Sequence, residues 1–136
     1  MNAQWENETR IVTAKKLLSQ TVSDLQDVPN LEVGLRVYGH QFPITATSQN
    51  CDDTKLEVPF GPANHQQIKN RIQTIQAKGT TPIARSLEAA AGDFPDTNAR
   101  NVIILITDGL EACDNDPCVI AKKLKDKGVN VTPFVI

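Results

Sequence analysis

Five apolar residues stand in succession at Val102–Ile106, and four of them are β-branched. Side chains of a strand alternate between its two faces, so an unbroken apolar run predicts a strand buried on both. That environment occurs in the middle of a parallel sheet covered by helices. The run ends at once in Thr107-Asp108-Gly109. Open α/β sheets gather ligands at the carboxyl ends of their strands. Asp108, a carboxylate on that edge followed by a glycine, is therefore the first candidate to hold a ligand or metal.

The bulk numbers narrow the classes. The chain has 136 residues, enough for one domain with a real core. A net charge of −2 leaves no electrostatic footprint for nucleic acid or an anionic membrane. An aromatic content of 4% argues against a stacking platform for bases or sugars. No apolar run approaches the roughly 18 residues of a membrane span. The polar start MNAQWENETR is unlike a signal peptide.

Periodicity predicts a helix over 8–25, with Ile11, Ala14, Leu18, Val22 and Leu25 on one face, ended by Pro29-Asn30. Residues 31–38 alternate as a strand, with Leu31, Val33, Leu35 and Val37 on one side. A polar loop runs to about 54. A short strand over 56–60 is expected to pair back on the previous one as an antiparallel edge. Asn64 is read as the cap of a helix over 65–77, and a second helix runs from Thr81-Pro82 to about 91. The buried strand 101–107 follows. Asp116-Pro117 is a cap-and-proline helix start, Gly128 ends that helix, and 130–136 is a last strand. Trp5 is read as a packing anchor, and His40 and His65 as surface residues.

The order predicts a doubly wound α/β fold with a mostly parallel sheet and helices on both faces. The chain opens on a helix with no strand to feed it and closes on a strand with no helix to cover it. The expectation is a single, partial domain over 1–136 that lacks its central first strand and its last helix.

Three cysteines, Cys51, Cys113 and Cys118, leave at least one free or paired outside the chain. Cys113 and Cys118 bracket the turn-rich Asp114-Asn115-Asp116-Pro117, where a short-loop disulfide is geometrically allowed. Two reduced thiols are the alternative. The spacing fits no zinc finger.

Four segments, VGLRVYGH at 33–40, GTTPIARSLEAA at 79–90, NVIILITDG at 101–109 and EACDNDPC at 111–118, agree in order and spacing with one family. The chain resembles the von Willebrand factor type A domains, and within them the bacterial secreted or envelope-associated members, which often carry a cysteine pair after the TDG turn. The resemblance implies a metal-ion-dependent adhesion site built from a D-x-S-x-S motif after the first strand, a threonine before a later helix and an aspartate after the fourth strand. The threonine carries over to Thr81 and the aspartate to Asp108. The D-x-S-x-S motif has no match, and Met1 stands where a methionine follows that motif in many bacterial members.

Magnesium takes about six oxygens in near-octahedral array. Thr81 and Asp108 supply one hydroxyl and one carboxylate, so Mg2+, Mn2+ or Ca2+ is expected to bind weakly or not at all. The resemblance implies a non-enzymatic interaction module that takes a partner protein's acidic side chain through the metal. It also implies a secreted, periplasmic or cell-envelope parent. Two other readings remain at this point. One is an assembly fragment that forms homo-oligomers through unpaired strands. The other is a metal-dependent α/β hydrolase using Asp108, for which no second catalytic group is placed by sequence. Glu111 is read as a solvated loop carboxylate, with ligation through water as its alternative.

Overall fold

The computed structural model describes residues 1–5 and 8–136. The chain forms β1 (Gln4–Trp5), β2 (Glu8–Thr9), α1 (Arg10–Leu25), β3 (Leu35–Tyr38), β4 (Thr54–Val58), α2 (His65–Thr74), α3 (Ile83–Asp93), β5 (Asn101–Thr107), α4 (Pro117–Asp126) and β6 (Val129–Val135). The strands pair two by two. β1 and β2 make a minimal antiparallel hairpin, β3 and β4 an antiparallel pair, and β5 and β6 a parallel pair. The fold is α/β of the expected kind. The hairpin was not predicted, and the side chain of Trp5 lies outside the described part of the chain.

Two apolar clusters hold these pieces. Val22, Leu35, Val58, Ile68, Ile72 and Ile75 bury together where α1 and α2 cover β3 and β4. Ile83, Leu87, Leu124 and Val129 bury together where α3 and α4 cover β5 and β6, with Ile103, Leu105 and Val131 packed on them. Ile68 and Ile72 are each only 1% exposed; an isoleucine so placed contributes about 1.5–3 kcal/mol.

Several boundaries differ from the periodicity for local reasons. β3 begins at Leu35 rather than Leu31, because its ladder partner ends at Val58. The next residue, Pro59, has no N–H to donate. Asn64 stands before α2, but its side chain does not cap it. Its amide donates instead to the carbonyls of Val33 (2.7 Å) and Pro59 (3.0 Å), tying the end of the β4 turn to the entry of β3. α2 stops at Thr74, since Ile75 is already extended, yet Ile75 still packs into the first cluster.

The expected double burial of β5 is corrected. Val102 and Ile104 are 43% and 38% exposed. The helices α3 and α4 cover only the face bearing Ile103 and Leu105. Pro133 sits within β6, which is compatible with an edge strand.

Among the described residues no backbone hydrogen bond joins β3 to β5. A cleft of about 530 Å³ separates them. Helix α3 packs against β3, β4 and β5 on one side, and α1 against α2 and β5 on the other. Arg36 on β3 makes a two-pronged ion pair with Asp93 at the end of α3 (2.6 and 2.8 Å), which fixes α3 across the cleft.

Candidate functional site: the carboxyl-terminal edge

The loop after β5 and the loop before α3 meet at one edge of the molecule. The Ala112 N–H donates to the Thr81 carbonyl at 3.1 Å. A Cβ placed on Gly109 would stand 3.9 Å from the Thr81 hydroxyl oxygen. Thr81 and Asp108, far apart in sequence, are thus brought to the same edge.

Glu111 makes this meeting rigid. One of its oxygens accepts from the Ala84 N–H at 2.7 Å, and the other from the Cys113 N–H at 2.9 Å. The first turn of α3 has no side-chain cap of its own, and the carboxylate of a distant loop takes that place. This corrects the reading of Glu111 as a solvated carboxylate. Ala84 lies 27 positions away, so no local pattern could have revealed the cap.

Asp108 is mostly buried, and its carboxylate faces positive charge. It pairs with the Met1 ammonium and stands 3.7 Å from Arg10 Nη1. The same Arg10 nitrogen donates to the Asp108 carbonyl at 3.3 Å. Close by, the Tyr38 hydroxyl donates to Thr107 Oγ1 at 2.8 Å. Burial raises the Tyr38 pKa, the Thr107 bond opposes the shift, and the charges of Asp108 and Glu111 add to it.

The loop after β3 completes the edge, organised around the carboxylate of Asp53. Asp53 is fully buried and accepts from the Gln41 and Phe42 N–H groups (both 3.0 Å) and from the Gln41 side chain (2.9 Å). Three donors satisfy a buried carboxylate that would otherwise be costly. Gly39 has φ +65°, and a Cβ there would fall 2.4 Å from the Thr80 carbonyl oxygen. That contact allows only glycine where this loop crosses the loop carrying Thr81. His40 is buried rather than on the surface, with Nε2 2.6 Å from Glu57 Oε1. Arg71 donates to the other Glu57 oxygen at 2.8 Å and is the main reason the Glu57 pKa falls to about 2. Burial opposes this shift, and His40 adds to it. His65 is also partly enclosed, with its Nε2 atom buried.

The disulfide differs from the expected one. Cys113 pairs with Cys51, with a Cα–Cα distance of 5.6 Å, and Cys118 is free and exposed. The expected Cys113–Cys118 bond fails because Asp116 caps α4 through the N–H groups of Cys118 (2.8 Å) and Val119 (3.3 Å). That cap commits Cys118 to the first turn of the helix. Cys51 lies in a short 3-10 turn, Asn50–Asp52, that the fold brings against Cys113. The bond ties the β3–β4 loop to the β5–α4 loop.

The model for the von Willebrand factor type A domain matches residues 6–136. The chain belongs to that family. Domains of this family generally mediate protein interactions. Among solved structures, the domain resembles an aerotolerance-related membrane protein from Bacteroides fragilis NCTC 9343 (TM-score 0.75, 25% identity, covering 98% of this chain and 60% of that one). It also shares the fold of the conserved hypothetical protein BatB from Bacteroides thetaiotaomicron (TM-score 0.72, 24% identity, 98% and 59%). Two sequence relatives come from Bacillus subtilis (strain 168). YwmD is 30% identical over 133 residues, or 95% of this chain and 58% of the relative. YwmC is 31% identical over 123 residues, or 88% and 53%. The domain thus spans little more than half the length of these relatives. Among the described residues no helix is long and apolar enough to cross a membrane.

The edge does not by itself fit a resident magnesium ion. Among the described residues no group of three or more histidine, cysteine or acidic side chains could hold a metal. Both Glu111 oxygens are engaged by backbone N–H groups. What remains is the Thr81 hydroxyl and an Asp108 carboxylate that stands 3.7 Å from Arg10 Nη1. One hydroxyl and one carboxylate fall well short of the roughly six oxygens magnesium prefers.

Proposed function

We propose that this domain is a recognition module without catalytic activity, and that it engages an acidic side chain of a partner protein at the edge bearing Thr81 and Asp108. The observation that carries this reading is the joining of the two loops through Ala112–Thr81 and Glu111. A threonine hydroxyl and an aspartate held together on rigid supports suit recognition, where geometry must be ready before the partner arrives. A cation bridging to the partner's carboxylate needs further oxygen donors from outside this chain. The Bacteroides fragilis neighbour is a membrane protein, and an envelope setting is proposed here on that likeness.

Calorimetric titration with Mn2+, followed by a glutamate-bearing peptide in the presence of Mn2+, tests the reading. Metal binding is expected only in the millimolar range, by comparison with the weakest oxygen-ligand sites, and is expected to vanish in Asp108→Ala. Peptide binding that is identical in wild type and in Asp108→Ala would remove the edge from recognition. Metal-dependent turnover of a phosphoester panel, lost in Asp108→Ala, would replace recognition by catalysis.

A further inference from the structure

One covalent bond joins the two loops that frame the Thr81 edge. Cys51 belongs to the loop 40–53, and Cys113 to the loop after β5. Among the described residues no hydrogen bond or ion pair runs between 40–53 and 108–118, so the disulfide is the direct link. The loop 40–53 has anchors of its own. The Asn50 side chain donates to the Ile44 carbonyl at 2.6 Å, and buried Asp53 gathers the Gln41 and Phe42 N–H groups. Asp52 meets Arg85 of α3 at 3.2 Å, but both side chains are exposed, and such a pair adds little. Neither cysteine belongs to an apolar cluster.

On the other side of the bond, residues 111–113 hold the edge by consecutive contacts. Glu111 caps Ala84, the Ala112 N–H donates to the Thr81 carbonyl, and the Cys113 N–H returns to Glu111. The sulfur that fastens this tripeptide to the opposite loop thus sits on the residue that completes it. The bond also lies near solvent, since Cys51 is exposed and Cys113 half-buried.

We propose that the Cys51–Cys113 bond is a redox-sensitive clamp on this edge. Closed, it holds 111–113, and with them Thr81, in place. Opened by a dithiol reductant, it frees the edge and leaves both apolar clusters folded. A thiolate of the reductant attacks Sγ of exposed Cys51, a mixed disulfide forms there, and Cys113 leaves as the thiolate. The second thiol of the reductant then displaces Cys51. The chain has gained two electrons and two protons, and the reductant has closed to its own disulfide. Cys113 keeps only its bond to Glu111, so the loop opens locally. Weaker partner engagement by the reduced form rests on the reading of Thr81 and Asp108 as a recognition edge; the release of the edge does not.

Amide exchange on the wild-type chain before and after dithiothreitol tests the clamp, with alkylation of all three cysteines confirming full reduction. Exchange at Ala84, Ala112 and Cys113 is expected to accelerate about tenfold on reduction, as for a local opening. The Ile68–Ile72 turn is expected to keep its protection, and reoxidation to restore the slow rates. Cys51→Ala is expected to show the fast rates without reductant and no further response to it. Cys118→Ser is expected to behave as wild type. Unchanged exchange in fully reduced protein would overturn the proposal. Loss of protection at Ile68–Ile72, or failure of Cys51→Ala to fold, would make the bond a staple of the whole domain and overturn it too. A response absent from Cys118→Ser would give the effect to that thiol instead. The glutamate-bearing peptide with Mn2+, added after the reductant is removed without air, is expected to bind the reduced form more weakly. Equal binding to both forms would refute control of recognition, whereas binding to neither would count against the recognition edge and not against the clamp.

Discussion

Tyr38 and Thr107 end two strands that share no ladder, yet their hydroxyls meet at 2.8 Å across the cleft. The bond closes the carboxyl-terminal end of the cleft and pins the edge where Asp108 begins. Tyr38→Phe is expected to cost about 1 kcal/mol, the typical net value of such a bond, measured by urea unfolding at pH 7. The pH dependence has a definite sign. The folded-state pKa of Tyr38 lies above the ordinary value of 10.0. Its contribution is whole below pH 10 and is lost as pH rises toward the folded value. Tyr38→Phe is expected to remove that alkaline loss, and an unchanged slope above pH 10 would contradict the assignment.

Glu57 governs the acid side. Arg71 holds its pKa near 2, below the usual 4.5. Its stabilisation is therefore present above pH 4.5 and declines as pH falls toward 2. Chemical denaturation at pH 7, 4 and 2.5 is expected to show wild type losing stability over that interval more steeply than Glu57→Gln. At pH 7 the variant is expected to be the less stable, since His40 and Arg71 lose an ionised partner.

Glu111 is expected to act on structure before it acts on any ligand. Glu111→Ala removes the cap of α3 and the bond to the Cys113 N–H. The loss is expected at about 1–2 kcal/mol, in line with other helix caps. Amide exchange at Ala84 and Cys113 should accelerate, while the distant Ile68–Ile72 turn keeps its protection. Unchanged exchange at Ala84 would show that the carboxylate is not its partner.

The disulfide predicts a simple chemical count. Unfolded, non-reduced protein should show one free thiol, and proteolytic mapping should find Cys51 linked to Cys113. The bond closes a loop of 62 positions, for which chain entropy gives about 4 kcal/mol. Cys51→Ser is expected to lose an amount of that order, and Cys118→Ser almost nothing. A Cys113–Cys118 peptide in the map would reverse the assignment.

The elements were legible in the sequence because each rests on near neighbours. Apolar spacing placed α1 and α2, Asp116-Pro117 placed the start of α4, and Gly128, with φ +87°, placed its end. The run Val102–Ile106 fixed β5 and with it the position of Asp108 at the edge of a sheet. The same run misled about burial. A side chain's period says which face it occupies, but not whether anything covers that face.

Relations between distant residues were decided by tertiary structure alone. Asn64 turned from the helix it precedes to the carbonyls of Val33 and Pro59. Glu111 reached 27 residues back to cap α3, and Cys51 displaced Cys118 as the partner of Cys113. A lone cap or cysteine offers local partners and distant ones of similar chemistry. Sequence spacing ranks only the local ones; the choice falls to whichever group packing brings within bonding distance.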